Sequence, residues 1–249
     1  MKHGYALAGL LWWFSLSSGF CQNRLFRGHW YVGADVGILS SQTRMVAGEL
    51  QKYSSGGSGI MPIYGLKVGR ILNPYFSVET GAYALPLNLV YLYQTDRVIG
   101  TNSFRFLSIP IRANWRVRVF HDKLEAHLGA GLQYVRSNTP YNFTKFSGLI
   151  TSRGHTWTDS LAYSGSVGVV RQHSINAELN AGIHWALSRR LTLSMYARQM
   201  FGMMNIAQME VAIKNNQEPT DKARFVSKGA GFTTGVGIRY NLAPKRRFN

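Results

Sequence analysis

The sequence predicts an all-β protein, an eight-stranded antiparallel up-and-down transmembrane β-barrel with short periplasmic turns and long extracellular loops. Three observations point there. Eight segments alternate apolar and polar residues with period two, the connections between them alternate short and long, and the aromatic residues of the apolar faces sort to the two ends of the segments. Successive side chains of a strand point to opposite faces. Each segment therefore presents one greasy and one polar surface, as a barrel wall does between lipid and lumen.

Residues 1–21 read as an export signal ahead of the barrel. Lys2 and His3 precede the apolar run YALAGLLWWFSL, which is too short for a membrane span. Gly19 and Cys21 are the small residues before a cut that makes Gln22 the mature N-terminus. Cys21 also fits a retained, acylated lipoprotein cysteine, but Phe20 is bulky where that signal wants Gly, Ala or Ser. Cleavage after Cys21 leaves 22–249 without cysteine, and so without disulfides, thiol catalysis or cysteine-bound metal. Past the signal no apolar run reaches the length of a transmembrane helix.

The first strand is HWYVGADVGILS (29–40), with Trp30, Val32, Ala34, Val36 and Ile38 on one side and Asp35 on the other. IMPIYGLKVGRIL (60–72) and FSVETGAYALPL (76–87) follow, joined around Asn73-Pro74, with Lys67 and Glu79 on their polar sides. FLSIPIRANWRVRV (106–119) sets Ile109, Ile111, Trp115 and Val117 against Arg112, Arg116 and Arg118. A basic amphipathic helix would repeat its apolar residues at spacings of three and four, so period two decides for a strand. A turn at His121-Asp122 leads to KLEAHLGAGLQYV (123–135), and residues 175–188 then alternate without a break. A turn at Arg189-Arg190 joins these to LTLSMYARQMFG (191–202), and FTTGVGIRYNL (232–242) closes the set before a short basic tail, 243–249. Segments of roughly ten to fourteen residues are long enough for tilted bilayer crossings.

The remaining connections, about 41–59, 92–103, 138–174 and 204–230, are long. Strict alternation of tight and long links is the habit of a membrane barrel, whose tight turns lie at the periplasmic rim. With that orientation Trp30, Trp115, Trp185 and Tyr240 fall near the periplasmic ends of the apolar faces, and Tyr64, Tyr134 and Phe201 near the other ends. These are the two girdles expected at membrane interfaces. A closed barrel also leaves no backbone group unpaired in lipid.

Eight strands leave a lumen that side chains can fill. Parity aims Asp35, Glu79, Glu125 and Glu178 inward with Lys67, Arg112, Arg116, Arg118, Arg198 and Arg239, a nearly balanced set that predicts a hydrogen-bonded ion network plugging the interior. If Phe120 pairs with Lys123, Arg118 lies opposite Glu125 and Arg116 opposite His127. His127 and His184 share the inward parity, but no His-x-His or His-Glu-x-x-His spacing marks a metal site, and no cofactor motif is present.

The formal charge is +17, from 28 Lys and Arg against 11 Asp and Glu. Such an excess calls for an anionic partner. Lys52, Arg97, Arg105, Arg136, Lys145, Arg153, Arg171, Lys214, Lys222, Arg224 and Lys228 fall in or near the long external loops. Arg189, Arg190, Lys245, Arg246 and Arg247 gather on the periplasmic side. Division between two rims and an interior speaks against nucleic acid and for outer-membrane lipid, lipopolysaccharide included.

With its signal, eight alternating strands, the LSIPIRANW stretch (107–115) and the closing GVGIRYNL (235–242), the chain resembles the small outer-membrane β-barrels of the porin family and PorT-like group. The resemblance covers about residues 27–242. It implies the outer membrane of a Gram-negative bacterium, and membership of or service to an outer-membrane protein complex such as a secretion or assembly machine. The closing strand is similar to the signal read by the barrel-insertion machinery, with Ile238, Tyr240 and Leu242 at its apolar positions, although the chain continues beyond it.

Three functions follow as expectations. The first is a non-enzymatic structural or interaction barrel, favoured by the filled lumen and by the long external surface at 138–174. The second is a narrow channel for small solutes, for which Gly129, Gly131, Gly235 and Gly237 would open a corridor. The third is a lipid A-modifying enzyme built on His155, Asp159 and Ser160, residue types that loops also favour for their turns. Architecture alone does not select among them.

Overall fold

A computed structural model describes residues 28–48, 54–56, 58–93, 97–120, 123–137, 143–151, 160–214 and 221–242. The export signal, the 121–122 turn and the basic tail lie outside the described residues. Fourteen strands occur among the described residues: β1 (His29–Gln42), β2 (Arg44–Gly48), β3 (Ser54–Gly56), β4 (Ser58–Asn73), β5 (Phe76–Tyr93), β6 (Arg97–Phe120), β7 (Leu124–Ser137), β8 (Phe143–Thr151), β9 (Ser160–Val169), β10 (His173–Ala186), β11 (Leu191–Gly202), β12 (Ala207–Lys214), β13 (Asp221–Ser227) and β14 (Gly231–Asn241).

Eight of them close a barrel in the order β1-β4-β5-β6-β7-β10-β11-β14 and back to β1, each antiparallel to its neighbours. They are the eight segments expected from periodicity. The tight turns at Asn73-Pro74 and Arg189-Arg190 form where expected. The Asn73 Oδ1 accepts from the Tyr75 amide at 2.9 Å, and the Ser188 Oγ accepts from the Arg190 and Leu191 amides at 3.2 and 3.0 Å. Such side-chain bonds hold a turn without help from a neighbouring strand.

Alternation sorts the side chains as predicted. On β1 every even residue from Trp30 to Ile38 faces out, while Tyr31, Asp35 and Leu39 are buried inside. All seven expected interface aromatics, Trp30, Trp115, Trp185, Tyr240, Tyr64, Tyr134 and Phe201, stand exposed on the outer surface. Arg70 lies 5.5 Å above the Trp30 ring, and Arg190 donates to the Tyr240 hydroxyl at 2.9 Å. The lower girdle thus carries its own cations.

The long connections differ from expectation. Residues 92–93 and 97–103 belong to paired strand ends, because the β5–β6 ladder runs on to Tyr93 opposite Arg97. Residues 41–59, 138–174 and 204–230 contain five strands of a second sheet, in the order β2-β13-β12-β9-β8. Each follows or precedes a barrel strand, and the order repeats that of β1, β14, β11, β10 and β7 below it. The wall therefore continues above the membrane across a row of corners. Backbone bonds cross that row, from Gln42 N to Ala230 O at 3.1 Å, Ile206 N to Ser227 O at 2.9 Å and Val170 N to Ile206 O at 2.9 Å. Gly229, at φ 71°, supplies the left-handed backbone of the β13–β14 corner.

The physical reason is a change of polarity inside. Below, the inward positions of β5 hold Ser77 and Glu79; above Tyr83 they hold Leu85, Leu87 and Leu89, all fully buried. Leu39, Ile63, Leu85, Leu87, Phe106, Val135, Met200 and Ile206 fill the upper barrel. Leu89 with Phe104 then meets Val167, Met209, Val211 and Phe225 of the second sheet. Segments with a core to bury fold instead of looping. Phe225→Ala, which empties the centre of this cap, is expected to cost about 3–5 kcal/mol, read from urea unfolding of the full chain in detergent micelles.

Candidate functional site

The lower half of the lumen is built from charges that parity delivers from six strands. Asp35 of β1, Lys67 of β4, Glu79 of β5, Arg112 of β6, Glu178 of β10 and Arg198 of β11 form a closed ring of alternating sign. Lys67 Nζ lies 2.7 Å from Asp35 Oδ1 and 4.0 Å from Glu79 Oε2. Arg112 Nη1 reaches Glu79 Oε1 at 2.9 Å, while its Nε and Nη2 hold Glu178 at 2.7 and 3.2 Å. Arg198 completes the circuit, with Nε 3.8 Å from Glu178 Oε1 and Nη2 2.5 Å from Asp35 Oδ2. All six residues are buried.

Charges removed from water cost several kcal/mol each unless partners and hydrogen bonds replace the lost solvent. Tyrosines supply part of that replacement, and the charge pattern of the sequence does not reveal them as members of the network. Tyr83 donates to Asp35 Oδ2 at 2.8 Å and accepts from Arg112 Nη1 at 3.0 Å; Tyr31 donates to Glu79 Oε2 at 3.0 Å. Arg198 stacks on the Tyr196 ring at 3.7 Å and Arg112 on Tyr83 at 4.9 Å. Cation–π contacts of this kind gain strength when desolvated. The signal that could have found these tyrosines is their inward parity beside glycines on the neighbouring strands.

Below the ring a second tier includes Arg116 joined to Glu125, Arg239 4.8 Å above the Tyr31 ring, and His127 stacked on His184 at 4.3 Å between centroids. Arg118 and Glu125 are opposite in register, as are Arg116 and His127. A shift between Arg118 and Phe120 makes Phe120 pair with Leu124 and not with Lys123 as expected. Arg118, expected in the interior network, is exposed, because its strand has reached the periplasmic mouth where water replaces the lumen.

The expected glycine corridor is occupied. A methyl group on Gly131 would meet the Arg112 side chain, one on Gly129 would meet Asn114 and Asn180, one on Gly235 the Tyr196 hydroxyl, and one on Gly237 Asp35 Oδ1 at 2.1 Å. Glycine makes room here, and a side chain from a neighbouring strand takes it. The void left between the ring and the histidine pair is about 10 Å³, space for a single water. His155 and Asp159 lie outside the described residues. Ser160 opens β9 opposite Thr151.

No protein-family model matches the chain, and no curated protein matches it in sequence. Solved structures do match in shape. The outer membrane protein OprG from Pseudomonas aeruginosa aligns at 12% identity over 86% of this chain and 96% of its own, with a TM-score of 0.51. The N-terminal β-barrel domain of Pseudomonas aeruginosa OprF aligns at 12% identity over 87% and 100%, TM-score 0.43, and Neisserial surface protein A at 16% over 86% and 99%, TM-score 0.42. The fold is that of a small outer-membrane β-barrel.

Two substitutions probe the ring. Asp35→Ala leaves Lys67 and Arg198 facing a void and is expected to cost about 3–5 kcal/mol. Gly237→Ala drives a methyl group against a carboxylate pinned from two sides and is expected to cost about 1–3 kcal/mol. Urea unfolding in micelles reads both, with outward-facing Val36→Ala as the reference.

Proposed function

We propose that the protein is an integral outer-membrane barrel with a non-enzymatic structural and interaction role, exercised through its extramembrane surfaces and not by conduction. The observation that carries this reading is the double closure of the interior, by the charged ring below and by the apolar core above. The outward band of Val36, Leu66, Ile111, Leu128, Leu179 and Met195 supports residence in lipid, since an apolar belt this continuous would be a liability in water. Ile238, Tyr240 and Leu242 stand exposed along β14 and its end, available to the barrel-insertion machinery during assembly.

In this role the interior residues act as a plug that fixes the barrel's shape, and recognition falls to the two-sheet cap and the periplasmic rim. The resemblance of 107–115 and 235–242 to PorT-like barrels supports the finer proposal of an accessory subunit of an outer-membrane secretion or assembly machine. Arg189 and Arg190, exposed at a periplasmic turn, offer such a partner a cationic contact.

Planar-bilayer recording separates this role from the solute-channel alternative. The unmodified chain is expected to be electrically silent, and Arg112→Gly combined with Arg198→Gly, which opens only the lower closure, to remain silent because the apolar core above still fills the lumen. Steady unitary conductance of the unmodified chain would overturn the proposal.

A further inference from the structure

Inside the barrel most buried cations meet a protein carboxylate. On the outer wall just above the upper girdle, exposed cations gather with no carboxylate beside them among the described residues. Arg136 of β7 and His173 of β10 are directly opposite in register, and both are exposed. Arg105 of β6 is also exposed, two residues above Leu107, which pairs with Arg136. Arg171, two residues before His173, lies with Nη1 3.2 Å from the Met204 sulfur. These four residues occupy one side of the wall, across β6, β7 and β10.

Like charges on adjacent strands repel. Among the described acids, Asp35, Glu79, Glu125 and Glu178 are buried in the lumen, and Glu210 and Asp221 belong to the cap strands β12 and β13, Glu210 lying 3.2 Å from Arg224. Directly beneath the cations the wall is lipid-facing, with Tyr134, Ile175, Leu132 and Ile109 exposed. Two residues of rise, about 7 Å, separate Arg136 from Tyr134, and so from the interface marked by the aromatic girdle. Tyr134 also fixes its neighbour, its hydroxyl lying 2.6 Å from His173 Nδ1.

We propose that Arg105, Arg136, His173 and Arg171 form a binding collar for the phosphate groups of a phosphorylated glycolipid in the outer leaflet, whose acyl chains lie along Ile109, Leu132 and Ile175. Arginine matches phosphate through paired N–H donors. The apolar strip below distinguishes a lipid from a free anion. The collar rests on the outer-membrane reading and names the lipid chemistry it would recognise.

The test uses the full chain in micelles and native mass spectrometry, with a bisphosphorylated acylated disaccharide and the same lipid dephosphorylated as probes. Affinity for the phosphorylated probe is expected to be about tenfold higher or more, and Arg105→Gln, Arg136→Gln and His173→Gln together to remove most of that preference. Arg189→Gln with Arg190→Gln, at the opposite rim, should leave it intact. Equal affinity for the two probes, or an undiminished preference in the triple variant, would overturn the collar. Displacement of the lipid by millimolar inorganic phosphate would mark a bare anion site and overturn it equally. Flotation with phospholipid vesicles keeps the two proposals apart. A barrel that floats without lipid preference loses only the collar, whereas one that does not float loses the outer-membrane reading too.

Discussion

Backbone groups in hydrocarbon must find partners within the protein, and a sheet satisfies that demand only when its last strand meets its first. Here β14 pairs with β1 over Tyr31–Ser41, and from that closure the rest follows. Eight strands enclose a space about as wide as two facing side chains. Whatever parity sends inward must then fit, and whatever charge it sends inward must be neutralised within reach of a neighbouring strand. The ring of Asp35, Lys67, Glu79, Arg112, Glu178 and Arg198 meets both conditions together, because its members alternate in sign around the circumference.

The ring also explains residues that carry no charge. A charged side chain lying in a narrow lumen needs a position without a side chain on the neighbouring strand, and Gly131 and Gly237, paired with Arg112 and Asp35, provide it. Gly69 does the same for the Tyr31 ring, whose hydroxyl bonds Glu79. Large and absent side chains are thus paired by position. Interior glycine reads at first as a corridor, yet here it is the complement of a tyrosine or an arginine.

Much of this was legible in the sequence. Strand positions, outward girdles and inward charges all follow from a period of two, which geometry imposes on every residue of a strand regardless of its neighbours. Three features were not. Glu125 joins Arg116, diagonal to it in register, and alternation alone does not choose a diagonal partner over the residue directly opposite. The tyrosines of the network have aromatic bodies that parity alone places but does not connect. The cap escaped because its signal is an inversion: Leu85 and Leu87 have the same parity as Glu79, so an apolar residue there looks like the end of the barrel pattern when it is the start of a second core.

The cap shares the seam of the barrel. One of its pairings joins the two ends of the barrel sequence, with β2 close behind β1 and its neighbour β13 just ahead of β14. These two strands sit directly above the pair that closes the barrel, so the β2–β13 seam continues the β1–β14 seam. The β2 edge of the cap is thus completed only by the same meeting of first and last strands that seals the wall beneath it.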